Sequence, residues 1–134
     1  MKKKNQSWGG EGFTLAELLI VVAIIGVLVA ISIPIFSQQL HKARVATDWA
    51  NVRSYYSQLQ YEFMETGKID ENKLHEWDGV RPGIRSFDLA GQTVTLKAGS
   101  IWIRMQDQGK SGYNIVYACD KYDPECQLVL PVSQ

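Results

Sequence analysis

The sequence predicts an α+β protein in which a long N-terminal helix, apolar in its first half and amphipathic in its second, packs on a C-terminal antiparallel β-sheet. Three observations carry this. Residues 18–36 run for 19 positions without a charge. Beyond them, apolar side chains recur at alternating steps of four and three, the spacing of one helix face. After residue 83, short alternating segments follow one another at hairpin intervals. At 134 residues the chain allows one domain, and its 46% hydrophobic and 21% charged content averages over this segregated pattern.

The first element is the apolar run. As a helix, 19 residues span about 28 Å at roughly 1.5 Å each, against a hydrocarbon core of about 30 Å, which suits one membrane pass. Lys2, Lys3 and Lys4 precede it, so the N-terminus is expected inside the cell and the remainder outside. A secretory signal with a small-residue site at Ala30 to Ser32 is the competing reading. Against it stand the length of the run, Pro34 just after the supposed cut, and helical patterning that continues without a break. Glu17 also disfavours a plain signal or anchor, because an ionised acid in hydrocarbon costs about 2.5 to 3.5 kcal/mol.

Residues 37–66 continue the helix outside the membrane. Val45, Trp49, Val52, Tyr56, Leu59 and Phe63 form one stripe, while Lys42, Arg44, Asp48, Asn51, Arg53, Gln58, Gln60 and Glu62 fall mostly opposite. Gly67 is the expected stop. The stripe also fits a coiled coil, but it mixes Trp and Tyr with Val and Leu, and the sheet that follows needs a cover. Gly26 and Pro34 are the weak points of the long helix, since glycine destabilises helix and proline lacks a backbone donor.

Residues 68–83 are polar, with turn signals at Asp78-Gly79 and Pro82-Gly83, and read as a connecting loop with a short helical turn around 71–77. The segments IRSFDL, QTVTLK, SIWIRMQ, YNIVYAC and QLVLPV follow, separated by Ala90-Gly91, Ala98-Gly99 and residues 108–112. Val94 and Leu96, then Ile101, Ile103 and Met105, alternate with more polar neighbours. That alternation predicts an antiparallel meander covered on one face by the helix stripe.

With these elements in place, GFTLAELLIVVAIIGVLVAISIPIF, residues 12–36, resembles the N-terminal signature of type IV pilins and pseudopilins. The order of basic leader, glycine, aromatic residue, carboxylate and apolar run is specific to that family; the head resembles it in architecture only. The resemblance implies a type IV pilin-like fold and a leader, residues 1–12, that a prepilin peptidase removes between Gly12 and Phe13. It further implies N-methylation of Phe13, an assembly role for Glu17, and a helix-breaking pair at Gly26 and Pro34. The implied segments are the filament-core helix 13–36, its amphipathic continuation 37–66, and a loop-and-sheet head 67–134. Cutting removes Lys2, Lys3, Lys4 and Glu11, leaving 11 basic and 13 acidic side chains, a net charge of −2.

The implied function is a structural pilus subunit, with a pseudopilin of a secretion or DNA-uptake system, or a minor adhesive pilin, as the alternatives. Its implied partners are the peptidase, membrane lipid, a membrane assembly platform, and other copies of itself and related pilins. The implied location is the cytoplasmic membrane, single-pass with the N-terminus inside, and then a surface filament. The mature N-terminal amine at Phe13 of one subunit is expected to meet Glu17 of a neighbour, a partner that lipid cannot supply.

In the head, Cys119 and Cys126 lie close together in an exported segment, where an oxidising compartment permits a disulfide. Their loop resembles the cystine-closed C-terminal loop of many pilins, though it is much shorter. Asp120, Asp123 and Glu125 offer calcium ligands, but their spacing matches no EF-hand, so no metal or cofactor is expected. His41 and His75 sit in no catalytic or metal motif and read as solvated; with no nucleophile elbow or phosphate loop, an enzyme is not expected. Trp77, Trp102, Tyr113 and Tyr117 read as core rather than as a sugar-binding patch. Arg81, Arg85, Arg104, Lys110 and Lys121 would serve nucleic acid only if they converged, and the net charge of −2 disfavours that partner.

Overall fold

A computed structural model describes residues 2–3, 12–121 and 123–132. Most of the leader expected at 1–12, including Lys4 and Glu11, lies outside the described residues. The helix α1 covers Leu15–Thr66, 52 residues, and passes through Gly26 and Pro34 without interruption. The chain divides into two compact units, Met1–Gln38 and Gln39–Gln134, and each is described by itself.

In the first unit every described residue is exposed. The apolar run has nothing in its own unit to pack against, and α1 is long and apolar enough there to cross a membrane. Ser32 returns its hydroxyl to the carbonyl of Leu28 at 2.6 Å, a helix-compatible use of a polar side chain in an apolar stretch.

In the second unit the amphipathic part of α1 buries Val45, Asp48, Val52, Tyr55 and Leu59. Trp49, Tyr56 and Phe63 of the expected stripe flank this core, half-buried. Five strands follow among the described residues: β1 Ser86–Leu89, β2 Gln92–Thr95, β3 Gly99–Met105, β4 Tyr113–Cys119 and β5 Leu128–Leu130. They match the five segments expected from alternation. Instead of one meander, however, they make a two-stranded sheet, β1-β2, and a three-stranded antiparallel sheet, β3-β4-β5.

The division has a local cause. Between β2 and β3 the amides of Lys97 and Ala98 donate to the two carboxylate oxygens of Asp48, each at 2.8 Å, so helix oxygens serve donors that a continuing ladder would have used. The β1-β2 hairpin turns through Ala90 and Gly91, both at positive φ, as a type I′ turn demands. In the larger sheet, Ile101, Tyr117 and Leu128 are cross-strand neighbours, as are Ile103, Ile115 and Leu130. All six are buried in the core that α1 covers, where cross-strand apolar packing stabilises the sheet. Met105, expected to share that face, lies at the strand end and is exposed.

The 68–83 loop contains a 3₁₀ turn at Glu71–Lys73, capped by Asp70, whose side chain accepts from the amide of Asn72. The chain then runs past β3, bridging it at His75–Ile103 and Ile84–Ile101.

Candidate functional site

The residues that the sequence singles out at the start of α1 stand together and open to solvent, with Phe13 91% exposed. Thr14 and Glu17 form a reciprocal capping box. The Thr14 amide donates to Glu17 Oε2 at 3.0 Å, and the Glu17 amide donates to Thr14 Oγ1 at 3.2 Å. This is the S/T-x-x-E pattern, in which two of the amides left over at a helix start are satisfied by side chains. The carboxylate also lies where the helix dipole is positive, which favours its charge. The sequence reading assigns Glu17 to assembly and misses this second bond set, although Thr14-Leu15-Ala16-Glu17 displays the motif.

Behind Glu17, the apolar side chains of residues 18–36 cover all sides of the helix and none is buried. Contiguous apolar area on this scale exceeds what soluble monomers leave uncovered, and marks a membrane or partner surface. Gly26 has open space around its Cα, so packing within the chain does not require a glycine there. Pro34 has no N–H to give the carbonyl of Ala30, yet the helix persists on both sides of it.

In the head, Cys119 and Cys126 are joined in a disulfide, and the loop they close is fastened to α1 by the indole N–H of Trp49 donating to the carbonyl of Cys126 at 3.3 Å. Two of the three acidic residues of that region engage separate groups. Asp120 pairs with Arg85 at 2.6 Å, and Asp123 accepts from the amide of Glu125 at 3.0 Å. His41 differs from its solvated reading: it is half-buried beside the disulfide, and its Nε2 is sealed from water without a partner among the described residues. His75 is half-buried too, its Nε2 lying 2.8 Å from the carbonyl of Pro82. His41 departs from expectation because the remote Cys119–Cys126 loop lies beside it, and His75 because the chain turns back to Pro82 seven residues on.

The aromatic residues divide. Tyr113 and Tyr117 belong to the core as expected, whereas Trp77 and Trp102 meet edge to face, 5.1 Å apart, on the side of the sheet away from α1. Arg81 is paired with Asp78 and Arg85 with Asp120, while Arg104 donates to Asn114, so these guanidinium groups have local partners.

Two core residues escaped the sequence reading. Asp48, read as part of the polar face, is fully buried, and Tyr55 stacks on Phe87 with ring centroids 4.3 Å apart. The spacing carried the signal: 45, 48, 52, 55 and 59 step by three and four as regularly as the stripe chosen. Asp48 accepts from Tyr117 at 2.9 Å in addition to the two amides, so every polar group in this cluster has a partner. Burial and the Asp48 carboxylate push the Tyr117 phenol well above its ordinary range.

An exposed apolar helix continued by an amphipathic one that packs on antiparallel strands defines an α+β protein of pilin architecture. Residues 11–33 match the family model for the prokaryotic N-terminal methylation motif. The chain is 37% identical over 124 residues to a fimbrial protein of Pseudomonas aeruginosa, covering 92% of this chain and 69% of that protein. It is 38% identical over 95 residues to a type IV major pilin of Myxococcus xanthus, covering 68% of this chain and 43% of the relative. It is 26% identical over 106 residues to a type IV major pilin of Neisseria gonorrhoeae, covering 75% of this chain. The chain belongs to the type IV pilin family. It spans 59% of the length of that gonococcal pilin. No solved structure matches it significantly.

Proposed function

We propose that this chain is a structural subunit of a type IV pilus, stored in the cytoplasmic membrane with its N-terminus inside, and polymerised through α1 into a surface filament. The observation that carries the reading is the wholly exposed apolar surface of residues 18–36 with Glu17 at its head. Lipid covers the apolar side chains but offers the carboxylate nothing; a bundle of identical helices offers both. Prepilin peptidase would cut between Gly12 and Phe13, and the new amine at Phe13, then methylated, would pair with Glu17 of a neighbouring subunit. Glu17 Oε2 is engaged by Thr14, while Oε1 has no hydrogen-bond partner among the described residues.

Gly26 and Pro34 would let the helix loosen in the filament, because neither supports helix as well as its neighbours do. The membrane assembly platform and other pilins are the remaining partners in this reading, and the protein's part is mechanical rather than catalytic. Relatives named as major pilins and fimbrial proteins favour a pilus over a pseudopilus. Mass spectrometry of sheared surface filaments tests the reading. The expected result is this chain as a main component beginning at Phe13 with one added methyl group; an uncut chain confined to the membrane would overturn it.

A further inference from the structure

The face of the three-stranded sheet away from α1 carries a groove of about 680 Å³, within the size range of small-molecule sites. Val116 lies under it, Trp77 and Trp102 wall it, and Glu76, Arg104 and Gln127 supply its polar atoms. We propose that this groove binds a neutral oligosaccharide, with a sugar ring against the exposed indole of Trp77 and its hydroxyls bonded to Glu76, Arg104 and Gln127.

Four observations lead there. Trp77 is 62% exposed although the core lies on the other face of the sheet, so folding alone does not account for a large aromatic at this position. The loop that carries it is nonetheless held firmly. The amides and carbonyls of His75 and Ile103 exchange bonds at 2.8 and 2.9 Å, as do those of Ile84 and Ile101. The His75 ring bonds across the neck to Pro82, and Asp78 Oδ1 accepts from the amides of Val80 and Arg81 at 2.9 and 2.7 Å. A groove wall fixed before a ligand arrives loses little freedom on binding.

The third observation is charge. One carboxylate and one guanidinium cancel, which disfavours a phosphate, a nucleic acid or an acidic peptide and suits an uncharged ligand. The fourth is chemistry. Sugar hydroxyls both donate and accept, matching a wall that mixes an acceptor-only carboxylate, a donor-only guanidinium and an amide that does both. The C–H faces of a pyranose suit the flat indole. A second groove, of about 440 Å³, shares Trp77 and Trp102 with the first, giving a chain of several sugars a path along the pair.

The test uses the full-length protein in dodecylphosphocholine micelles, whose headgroup is not a sugar, so binding is read on dispersed subunits and does not depend on filament assembly. Saturation-transfer NMR is recorded with cellotetraose, maltotetraose and chitotetraose, and with inorganic phosphate and a heparin pentasaccharide as charged probes. The expected result is saturable binding of at least one neutral tetrasaccharide with a dissociation constant of about 1 mM or tighter. Trp77→Ala should weaken it at least about tenfold, as loss of an aromatic anchor does, with an unchanged far-ultraviolet circular dichroism spectrum. Glu76→Gln, a nearly isosteric change at an exposed site, should weaken it about threefold or more. Three results would each overturn the proposal: no saturable binding of any neutral probe up to about 10 mM, equal affinity in the Trp77→Ala protein, or binding confined to the charged probes.

Discussion

Asp48 of α1 accepts a hydrogen bond from the hydroxyl of Tyr117 of β4 at 2.9 Å, with both side chains sealed from solvent. Because the same carboxylate also takes the amides of Lys97 and Ala98, one helix residue fixes the start of β3 and the middle of β4 against the helix. Asp48→Ala would strand two amides and a phenol in the core, and should destabilise the protein by about 2 to 4 kcal/mol. Tyr117→Phe removes one donor and keeps the ring, so about 1 to 2 kcal/mol is expected. Thermal denaturation of the full-length protein in micelles ranks the two. The neutral Tyr117 phenol is favoured by the fold, so its contribution is complete below the unfolded value of 10.0 and is lost as pH rises beyond it.

The capping box separates two roles of Glu17. Glu17→Gln keeps an N3 side chain able to accept from Thr14 but removes the charge; Thr14→Ala removes one cap bond and keeps the charge. If charge pairing with a neighbour drives assembly, Glu17→Gln abolishes sheared filaments while cleavage continues, and Thr14→Ala still yields them. The reverse pattern in filament yield would make capping the essential role.

Glu62 and Lys73 form an ion pair beside the 3₁₀ turn. The hydrogen bond from Lys73 holds the Glu62 carboxyl below its ordinary 4.5. Its stabilising effect is therefore present above pH 4.5 and lost as pH falls through the lower folded value. Partial burial is the largest single influence on the Lys73 ammonium and works against it, but the Glu62 hydrogen bond and the charges of Glu62, Tyr55 and Tyr113 together outweigh it and raise the group above 10.5, so its contribution fades at still higher pH. Denaturation midpoints of wild type and Glu62→Gln should converge as the solution is acidified. Parallel curves would show that the pair contributes nothing, as exposed pairs often do.

Gly112 turns the chain into β4 at a φ of +88°, and a Cβ there would collide with Gln60 Oε1. That oxygen accepts from the Tyr113 amide at 3.1 Å, so Gly112→Ala meets both backbone strain and the loss of a helix-to-sheet bond. A destabilisation of about 2 to 3 kcal/mol is expected from the two together. Adding Gln60→Ala should recover only the steric part, which a double-mutant cycle by chemical denaturation measures.

The disulfide closes a short loop that Trp49 also fastens to α1. Replacing Cys119 and Cys126 by Ser should cost about 2 to 3 kcal/mol on the chain-entropy relation. Chemical denaturation of the variant beside wild type under non-reducing conditions gives the difference.

The apolar run, the helix through residue 66, the five strand positions and the hairpin connection at Ala90-Gly91 were legible in the sequence. Each is written in a local pattern: an uncharged stretch, a helical stripe, alternation, a turn pair. The family signature and its Glu17 were legible for the same reason, since all of it lies within 25 contiguous residues. Tertiary structure decided what depends on a partner remote in the chain. Asp48 is polar by composition and buried by position because Lys97, Ala98 and Tyr117 satisfy it from 49 to 69 residues away. The same contacts divide one expected sheet into two, and the loop that bridges β3 sets Trp77 against Trp102 on the outer face. A periodic pattern tells which face of an element seeks cover; which polar group enters that cover depends on whether distant donors and acceptors arrive to meet it.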